Sequence, residues 1–169
     1  MADIPPLKMV SITEKNMSAD ARLAELGITL PAAAAPVASY VPTVEAGGML
    51  YVSGQIAFKD GHLMTGRVGD DRSLDYGKDA ARACGLMVLA QVKTALGSLD
   101  RVARVVKLGV FVNSTSRFTD QPMVANGASD LMIEVFGEAG RHARAAVGVA
   151  ALPRDTVVEV DAVFSLHAA

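Results

Sequence analysis

The amino-acid sequence predicts an α+β sandwich, with helices segregated over a β-sheet. Two long segments carry apolar residues at helical spacing, and Val-rich segments stand before, between and after them. The resulting order is approximately βββ-α-β-α-ββ. At 169 residues, 51% of them hydrophobic, the chain suits one domain whose core needs no disulfide or structural metal.

The N-terminal part is predicted to be an arm with a short helix and a linker. Residues 1–17 lack periodicity and carry two consecutive prolines. A short helix is expected to begin after Ser18, whose hydroxyl can cap it, and to close at Gly27 in the left-handed conformation. Leu30 to Pro36 then reads as a connector, because two prolines break any helix there.

The first strands are expected to form antiparallel turns. They are an extended Tyr40-Val41-Pro42, a turn at Gly47-Gly48, a strand over Met49 to Phe58, a turn at Lys59-Asp60-Gly61 and a returning His62-Leu63-Met64. Gly54 lies inside the long strand. A glycine there indicates a bulge or the close approach of another group to the backbone.

The remaining elements alternate between helix and strand. We predict helices over Asp75 to Leu96 and Met123 to Phe136, and strands over Val102 to Val112, Ala145 to Ala150 and Thr156 to Leu166. The late strands carry apolar residues in consecutive positions, as expected when both sheet faces are buried. Helices cover only one face, so the sequence predicts an oligomer whose interface covers the other.

Composition argues against several classes of partner. The net charge of -2 offers no general attraction to nucleic acid or to an anionic membrane, and 5% aromatic residues without tryptophan leave few side chains for base stacking. No long apolar run or basic leader suggests a membrane span or a signal peptide, so a cytoplasmic location is expected.

A metal or nucleophilic site is also not expected. A single cysteine excludes a cysteine-rich zinc site, and the three histidines form no ligand pair. Cys84 falls on the inward stripe of the long helix and reads as a buried structural thiol. Ser53, Ser114, Ser116 and Ser129 have no neighbouring base in the sequence and no nucleophile elbow.

The most informative candidate is Arg144, which immediately precedes an apolar run of strand character. A charge is excluded from the strand interior, so Arg144 is placed at the mouth of the strand. Its guanidinium can hold a carboxylate through two parallel hydrogen bonds. A solvated strand end is the alternative that spacing alone leaves open.

Two acids on the next strand complete the candidate set. Glu159 and Asp161 share one strand face, and an antiparallel hairpin would bring that strand beside Arg144. One interpretation is that both are outward-facing acids, each paired with a nearby arginine. The alternative is that one of the two carboxylates orients a water molecule near a ligand held by Arg144. With Tyr40 and Ser53-Gly54-Gln55, these residues could bind a small carboxylate and position one water.

At these residues the chain resembles the Rid (YjgF) family, whose members are also labelled L-PSP endoribonucleases. The resemblance runs from about Pro36 to His167, which divides the chain into an arm and linker over residues 1–35 and a Rid-like domain over residues 36–169. Its marks are Tyr40-Val41-Pro42, Leu50 to Gln55, Val105-Val106-Lys107 with Val110-Phe111-Val112, Ala143 to Pro153, and Val158 to Ala162.

The resemblance implies a chorismate-mutase-like α+β domain with a mixed sheet, two main helices on one face, and a homotrimer with ligand clefts between subunits. It also implies hydrolysis of reactive enamines and imines such as 2-aminoacrylate, without a cofactor, to a 2-oxo acid and ammonia. The alternative is a non-catalytic trimer that binds a small carboxylate or a protein partner, since one fold hosts many functions. The endoribonuclease label fits poorly with an acidic chain that lacks a basic stripe.

The resemblance also assigns roles to individual residues. Arg144 is expected to grip the substrate carboxylate, Glu159 to hold the hydrolytic water, and Tyr40 to line the cleft. Gly54 is expected to border the ligand through its backbone, next to Ser53. Two departures from the family concern binding positions. Ala146 stands where the best-known members carry cysteine. Ser129-Asp130-Leu131 differs from the family's asparagine-bearing helix start, and the nearby Asn126 is expected to take the place of that asparagine.

Overall fold

The structure is a computed structural model that describes residues 18–35 and 39–168, so the expected arm over residues 1–17 and the end of the linker at Pro36 lie outside the described residues. Helix α1 spans Ala19–Glu25, and its cap is the Ser18 hydroxyl, which accepts a hydrogen bond from the Ala21 amide. Gly27 follows with φ 65°, the left-handed conformation. The predicted short helix and both of its ends are confirmed.

The other elements agree with the predicted order and differ at their ends. Helices α2 and α3 span Leu74–Leu96 and Gln121–Phe136; the strands are β1 Thr43–Ala46, β2 Met49–Ile56, β3 Phe58–Lys59, β4 His62–Leu63, β5 Val102–Asn113, β6 Ala143–Val149 and β7 Val158–Leu166. The expected extended Tyr40-Val41-Pro42 is instead a bend before β1, and the long strand divides after Ile56. β3 and β4 form the predicted small hairpin.

The sheet is mixed, as expected, with strand order β1-β2-β7-β5-β6. β5 and β6 are parallel, and the other pairs are antiparallel. α3 connects β5 to β6, which is the crossover that a parallel pair requires. α2 and α3 pack together over one face of the sheet.

The expected hairpin between the last two strands is wrong. β7 lies between β2 and β5, and β6 forms the edge of the sheet beyond β5. The connection over residues 150–157 is long enough to step across β5. β7 therefore does not lie beside Arg144.

The two faces of the sheet differ in burial. In β7, Val158 and Phe164 are buried on the helix side, where Phe164 contacts Phe136 of α3, whereas Glu159 and Asp161 point to the opposite face and are only partly buried. β7 thus alternates, so burial of both faces, expected from its apolar runs, does not occur within one chain. We call the side without helices the open face.

The open face carries exposed apolar side chains. Val44 and Tyr51, which pair across β1 and β2, are 50% and 48% exposed, and Val147 on β6 is 45% exposed. Val44 and Tyr51 lie at one edge of this face and Val147 at the other, with β7 and β5 between them. The predicted subunit interface stays a prediction, and this face is where it would lie.

Within the described ranges, no helix is long and apolar enough to cross a membrane.

Candidate functional site

Arg144 is the second residue of edge strand β6, and its side chain reaches α3 on the helix side of the sheet. Nη1 donates to Asn126 Oδ1 and to Ser129 Oγ, both at 2.9 Å, and Nη2 donates to the Pro122 carbonyl oxygen at 3.2 Å. All three acceptors are neutral. In the part of the chain that the structure describes, no carboxylate forms an ion pair with Arg144.

The guanidinium therefore keeps both its charge and part of its bonding capacity. It has five N–H donors, and three are used within the described chain. The two remaining N–H groups are enough to bind a carboxylate through two hydrogen bonds. Arg144 is thus held by a rigid helix and still able to bind an anion.

The structure places two other candidate residues near Arg144. Asn126 on α3 accepts a hydrogen bond from the Arg144 guanidinium. An asparagine therefore contacts the arginine in this chain, although the sequence at the helix start differs from the family pattern. Ala146 lies two residues along β6 on the same side, half-buried against the core. Their roles in binding stay predictions.

Glu159 belongs to a second group of candidates, on the open face. A Cβ on Gly54 would overlap the Glu159 carboxylate, and the pairing of β2 with β7 shifts register between Val52 and Gln55. The expectation of a bulge or a close approach at Gly54 is confirmed on both counts. The missing side chain makes the room in which the Glu159 carboxylate lies.

A cleft of about 620 Å³ opens around this group. Tyr40, Ser53, Gly54 and Glu159 line it together with apolar side chains that include Pro42, Ile56, Phe58 and Met87. The Ser53 hydroxyl donates to the Val41 carbonyl oxygen at 2.8 Å, which holds the Tyr40 segment against β2. Four of the predicted site residues therefore meet in one cleft.

The linker, rather than helix α1, borders this cleft. Ala34 and Ala35 line it, and the Gln91 side-chain amide donates to the Ala34 carbonyl oxygen at 2.8 Å. α1 packs elsewhere, because Asp20 pairs with Lys93 of α2 at 3.1 Å and the Arg22 guanidinium donates to the backbone of α3.

The electrostatics of the cleft centre on Glu159. Burial, and to a lesser degree the neighbouring Asp161 carboxylate, raises the pKa of Glu159. A carboxyl group whose pKa is raised exchanges protons closer to neutral pH, which suits general acid–base work. Burial also raises the pKa of the Cys84 thiol well above its ordinary value, so Cys84 is the buried structural thiol that was predicted.

The two groups do not form one site within a single chain. Arg144 points to the helix side, whereas Glu159 points to the open face. Across the sheet, Arg144 is aligned with Leu108 and Ala162, while Glu159 is aligned three residues further along, with Phe111 and Val147. The expected meeting of Arg144 and Glu159 through a hairpin is therefore wrong, and the candidate residues form two separate groups.

Sequence reasoning missed a pair of residues behind Arg144. The Ser129 hydroxyl lies 2.9 Å from His142 Nε2, although no base neighbours Ser129 in the sequence. Two signals were present. Ser129 is three residues after Asn126 on one helix face, and His142 is two residues before Arg144, immediately before β6 begins at Ala143.

The described residues contain no group of three or more side chains that could hold a metal ion.

We predict that Gly54→Ala weakens activity without unfolding the protein. The new methyl group would displace the end of the Glu159 side chain, which is flexible, rather than any backbone. Because the family resemblance implies that Glu159 holds the hydrolytic water, the expected result is a loss of about 100-fold in kcat for imine hydrolysis. Gly109→Ala is the matched control: its methyl group would displace Asp161 from the next strand instead. Equal losses in the two variants would contradict the role of Glu159.

We predict that Glu159→Gln stabilises the protein at neutral pH. The pKa of Glu159 is higher in the folded than in the unfolded chain, so ionisation costs folding free energy as pH rises through these values. Removing the ionisable group removes that cost. Thermal unfolding should show a higher Tm for the variant at neutral pH, and the difference should disappear below the ordinary glutamate pKa. A lower Tm at neutral pH would contradict the assignment.

The fold defines a class of protein: an α+β domain with a mixed five-stranded sheet, two long helices over one face, and the other face left uncovered by this chain. The family model described as YjgF/chorismate mutase-like, putative endoribonuclease, matches residues 20–165. The chain belongs to this family, so its chorismate-mutase-like fold and the resemblance stated above are confirmed.

Individual relatives extend this result. Protein TCP17 of Trypanosoma cruzi is 58% identical over 87% of this chain and 93% of its own length. A protein of unknown function from Agrobacterium tumefaciens has a crystal structure with TM-score 0.81 and 48% identity, over 88% of this chain and 92% of that one. A 2-iminobutanoate/2-iminopropanoate deaminase of Dermatophagoides farinae is 29% identical over 80% of this chain and 92% of its own length.

Proposed function

We propose that the protein is a cofactor-free hydrolytic deaminase of reactive enamines and imines that carry a carboxylate. The observation that carries the proposal is Arg144, which is held by three neutral acceptors and keeps two donors for an anion. Glu159 supplies the second requirement, a proton acceptor, and burial raises the pKa of this carboxyl group above its ordinary value. The relative from Dermatophagoides farinae supports the reaction class.

The complete site is proposed to form between subunits of a homotrimer. Arg144 and Glu159 lie on opposite faces of one sheet, so one substrate can contact both only if they come from different copies. The exposed Val44, Tyr51 and Val147 provide an apolar surface for the second copy. Edge strand β6 would bring Arg144 of one copy to the cleft of the next.

The reaction needs only positioning and proton transfer. Arg144 binds the substrate carboxylate, and a 2-aminoacrylate-type enamine takes a proton from solvent at its terminal carbon to become the protonated imine. Glu159 accepts a proton from water as the water oxygen attacks the imine carbon, which gives a neutral carbinolamine. Glu159 then returns this proton to the nitrogen. The carbon–nitrogen bond breaks as the hydroxyl group loses its proton to solvent, and the products are a 2-oxo acid and ammonia.

The other residues of the cleft are assigned to orientation. Tyr40 and the backbone at Gly54 would border the substrate, while Ser53 keeps the Tyr40 segment in place. Asn126 would act beside Arg144 on the carboxylate. The apolar wall of the cleft would exclude bulk water from the imine.

The test is ammonia release from freshly generated imines of several amino acids, together with the mass of the protein in solution. We expect faster release than without protein, and a trimer. No acceleration with any imine, combined with binding of pyruvate, would favour the non-catalytic carboxylate-binding alternative.

A further inference from the structure

We propose that His142 and Ser129 form a relay that positions Arg144 for its anion, so that His142 is a positioning residue for substrate binding. The inference rests on the proposed function, since it concerns how Arg144 holds a carboxylate. It assigns a role to two residues that the proposed chemistry does not use. Its basis is an unbroken chain of hydrogen bonds from the Gly140 backbone to the guanidinium.

The direction of each hydrogen bond follows from the chemistry of its partners. His142 Nδ1 lies 2.6 Å from the Gly140 carbonyl oxygen, which can only accept, so Nδ1 carries the proton. In the neutral ring, Nε2 then has a free lone pair and accepts from the Ser129 hydroxyl at 2.9 Å. The Ser129 oxygen is left to accept from Arg144 Nη1, also at 2.9 Å.

The relay fixes the orientation of Ser129, and Ser129 in turn fixes one edge of the guanidinium. A serine hydroxyl can rotate freely, and its proton would otherwise point toward Arg144 in part of the population. With His142 as its acceptor, the Ser129 oxygen always presents a lone pair to Nη1. Asn126 completes the pair of acceptors on that nitrogen, and the Pro122 carbonyl oxygen accepts from Nη2, which leaves two N–H groups of the guanidinium for an anion.

Protonation of His142 would reverse this arrangement. Nε2 would become a donor to Ser129, and the hydroxyl proton of Ser129 would lose its acceptor. Two cations would then share one oxygen atom, which weakens the hold on Arg144. Burial lowers the pKa of His142, and the Arg144 charge adds to that effect against the opposing bond to Gly140, so the neutral ring is favoured at neutral pH.

Other charged side chains lie on the elements next to His142. Arg141 donates to the Glu138 carboxylate at 2.9 Å on the approach to β6. On β5, Lys107 is aligned with Ala143, the residue after His142, and Arg104 donates to the Glu138 carbonyl oxygen at 3.5 Å. On α3, Asp130 pairs with Lys78 of α2 at 3.5 Å. Arg144 is the neighbouring charge that lowers the pKa of His142, in addition to burial.

The test compares His142→Phe, which keeps a ring without nitrogen atoms, with His142→Gln, which can keep an acceptor toward Ser129 but does not titrate. We measure pyruvate affinity by calorimetry and steady-state imine hydrolysis from about pH 7.5 to about pH 5. For His142→Phe we expect KM and the Kd for pyruvate to rise about tenfold, with kcat within about twofold, as for one lost bond to a charged group. Ser129→Ala should give the same change.

The pH profile distinguishes positioning from mere structural support. In the unsubstituted protein, pyruvate affinity should fall as pH drops through the lowered pKa of His142, whereas in His142→Gln it should remain near its neutral value. His167→Gln, at an exposed histidine, is the control and should behave like the unsubstituted protein. An equal pH dependence in His142→Gln, or an unchanged KM in His142→Phe, overturns the relay while hydrolysis persists. Absence of both hydrolysis and pyruvate binding in the unsubstituted protein overturns the proposed function and the relay together.

Discussion

Replacing Arg144 with alanine is expected to lower kcat/KM for imine hydrolysis by about 100-fold or more while the protein stays folded. The variant loses a bidentate, charge-assisted contact with the substrate carboxylate, which is worth about 3 kcal/mol. Fold stability should change little, because the guanidinium contacts only side chains and one carbonyl at the surface of α3. Steady-state kinetics and thermal unfolding measure the two effects separately.

Two further variants sharpen this experiment. Arg144→Lys keeps the charge as a single point and loses the planar fork, so we expect a loss of about tenfold, mainly in KM. Arg141→Ala is the matched control: its side chain is 63% exposed and donates to the Glu138 carboxylate rather than to the groups that hold Arg144. Full activity in Arg144→Ala, or an equal loss in Arg141→Ala, would contradict the proposed anchor.

Replacing Gly127 with alanine is expected to destabilise the protein by about 3 kcal/mol, the upper part of the usual range for overpacking. A Cβ on Gly127 would overlap the Lys78 carbonyl oxygen and lie 3.0 Å from the Arg82 amide, so the backbones of α2 and α3 would have to separate. Neither group is the end of a flexible side chain. Urea unfolding should show the loss as a lower midpoint.

Gly85→Ala in the same interface is the control. Its Cβ would meet a methyl group of Leu131 at 2.9 Å, which a small rotation can relieve, and alanine is the better helix former by about 1 kcal/mol. We therefore expect a stability within about 1 kcal/mol of the unsubstituted protein. Similar losses at both glycines would show that the close backbone contact at Gly127 is not what limits the interface.

The close contact at Gly127 also affects the position of the residues that hold Arg144. α3 carries Asn126 and Ser129 on either side of Gly127, and both accept from Arg144. A shift of α3 away from α2 would move both acceptors. We expect Gly127→Ala to weaken pyruvate binding even at temperatures where the variant is fully folded, which calorimetry can measure.

Local signals predicted most of the elements correctly. Ser18 and Gly27 delimit α1 as expected, and Gly97 closes α2 with φ 79°. Gly54 indicated a bulge or a close approach, and the structure has both at β2. These features are set by residues close together in the chain, where capping and backbone conformation act directly.

Strand order could not be obtained in the same way. The hairpin expected between β6 and β7 is local in sequence, but β6 pairs in parallel with β5 through the α3 crossover. Which strands become neighbours depends on how the whole apolar surface of the sheet is buried under α2 and α3. The sequence pattern of a single segment does not indicate which other strand that segment will pair with.

By itself, the sequence determined the fold class, the family, the two ends of α1 and the irregularity of β2 at Gly54, because residue type, spacing and turn chemistry carry that information along the chain. Only the tertiary structure decided that Arg144 and Glu159 lie on opposite faces, and that Ser129 joins His142 to Arg144. The physical reason is that these relations arise between α3, β6 and β7, whose placement follows from long-range packing rather than from local conformation.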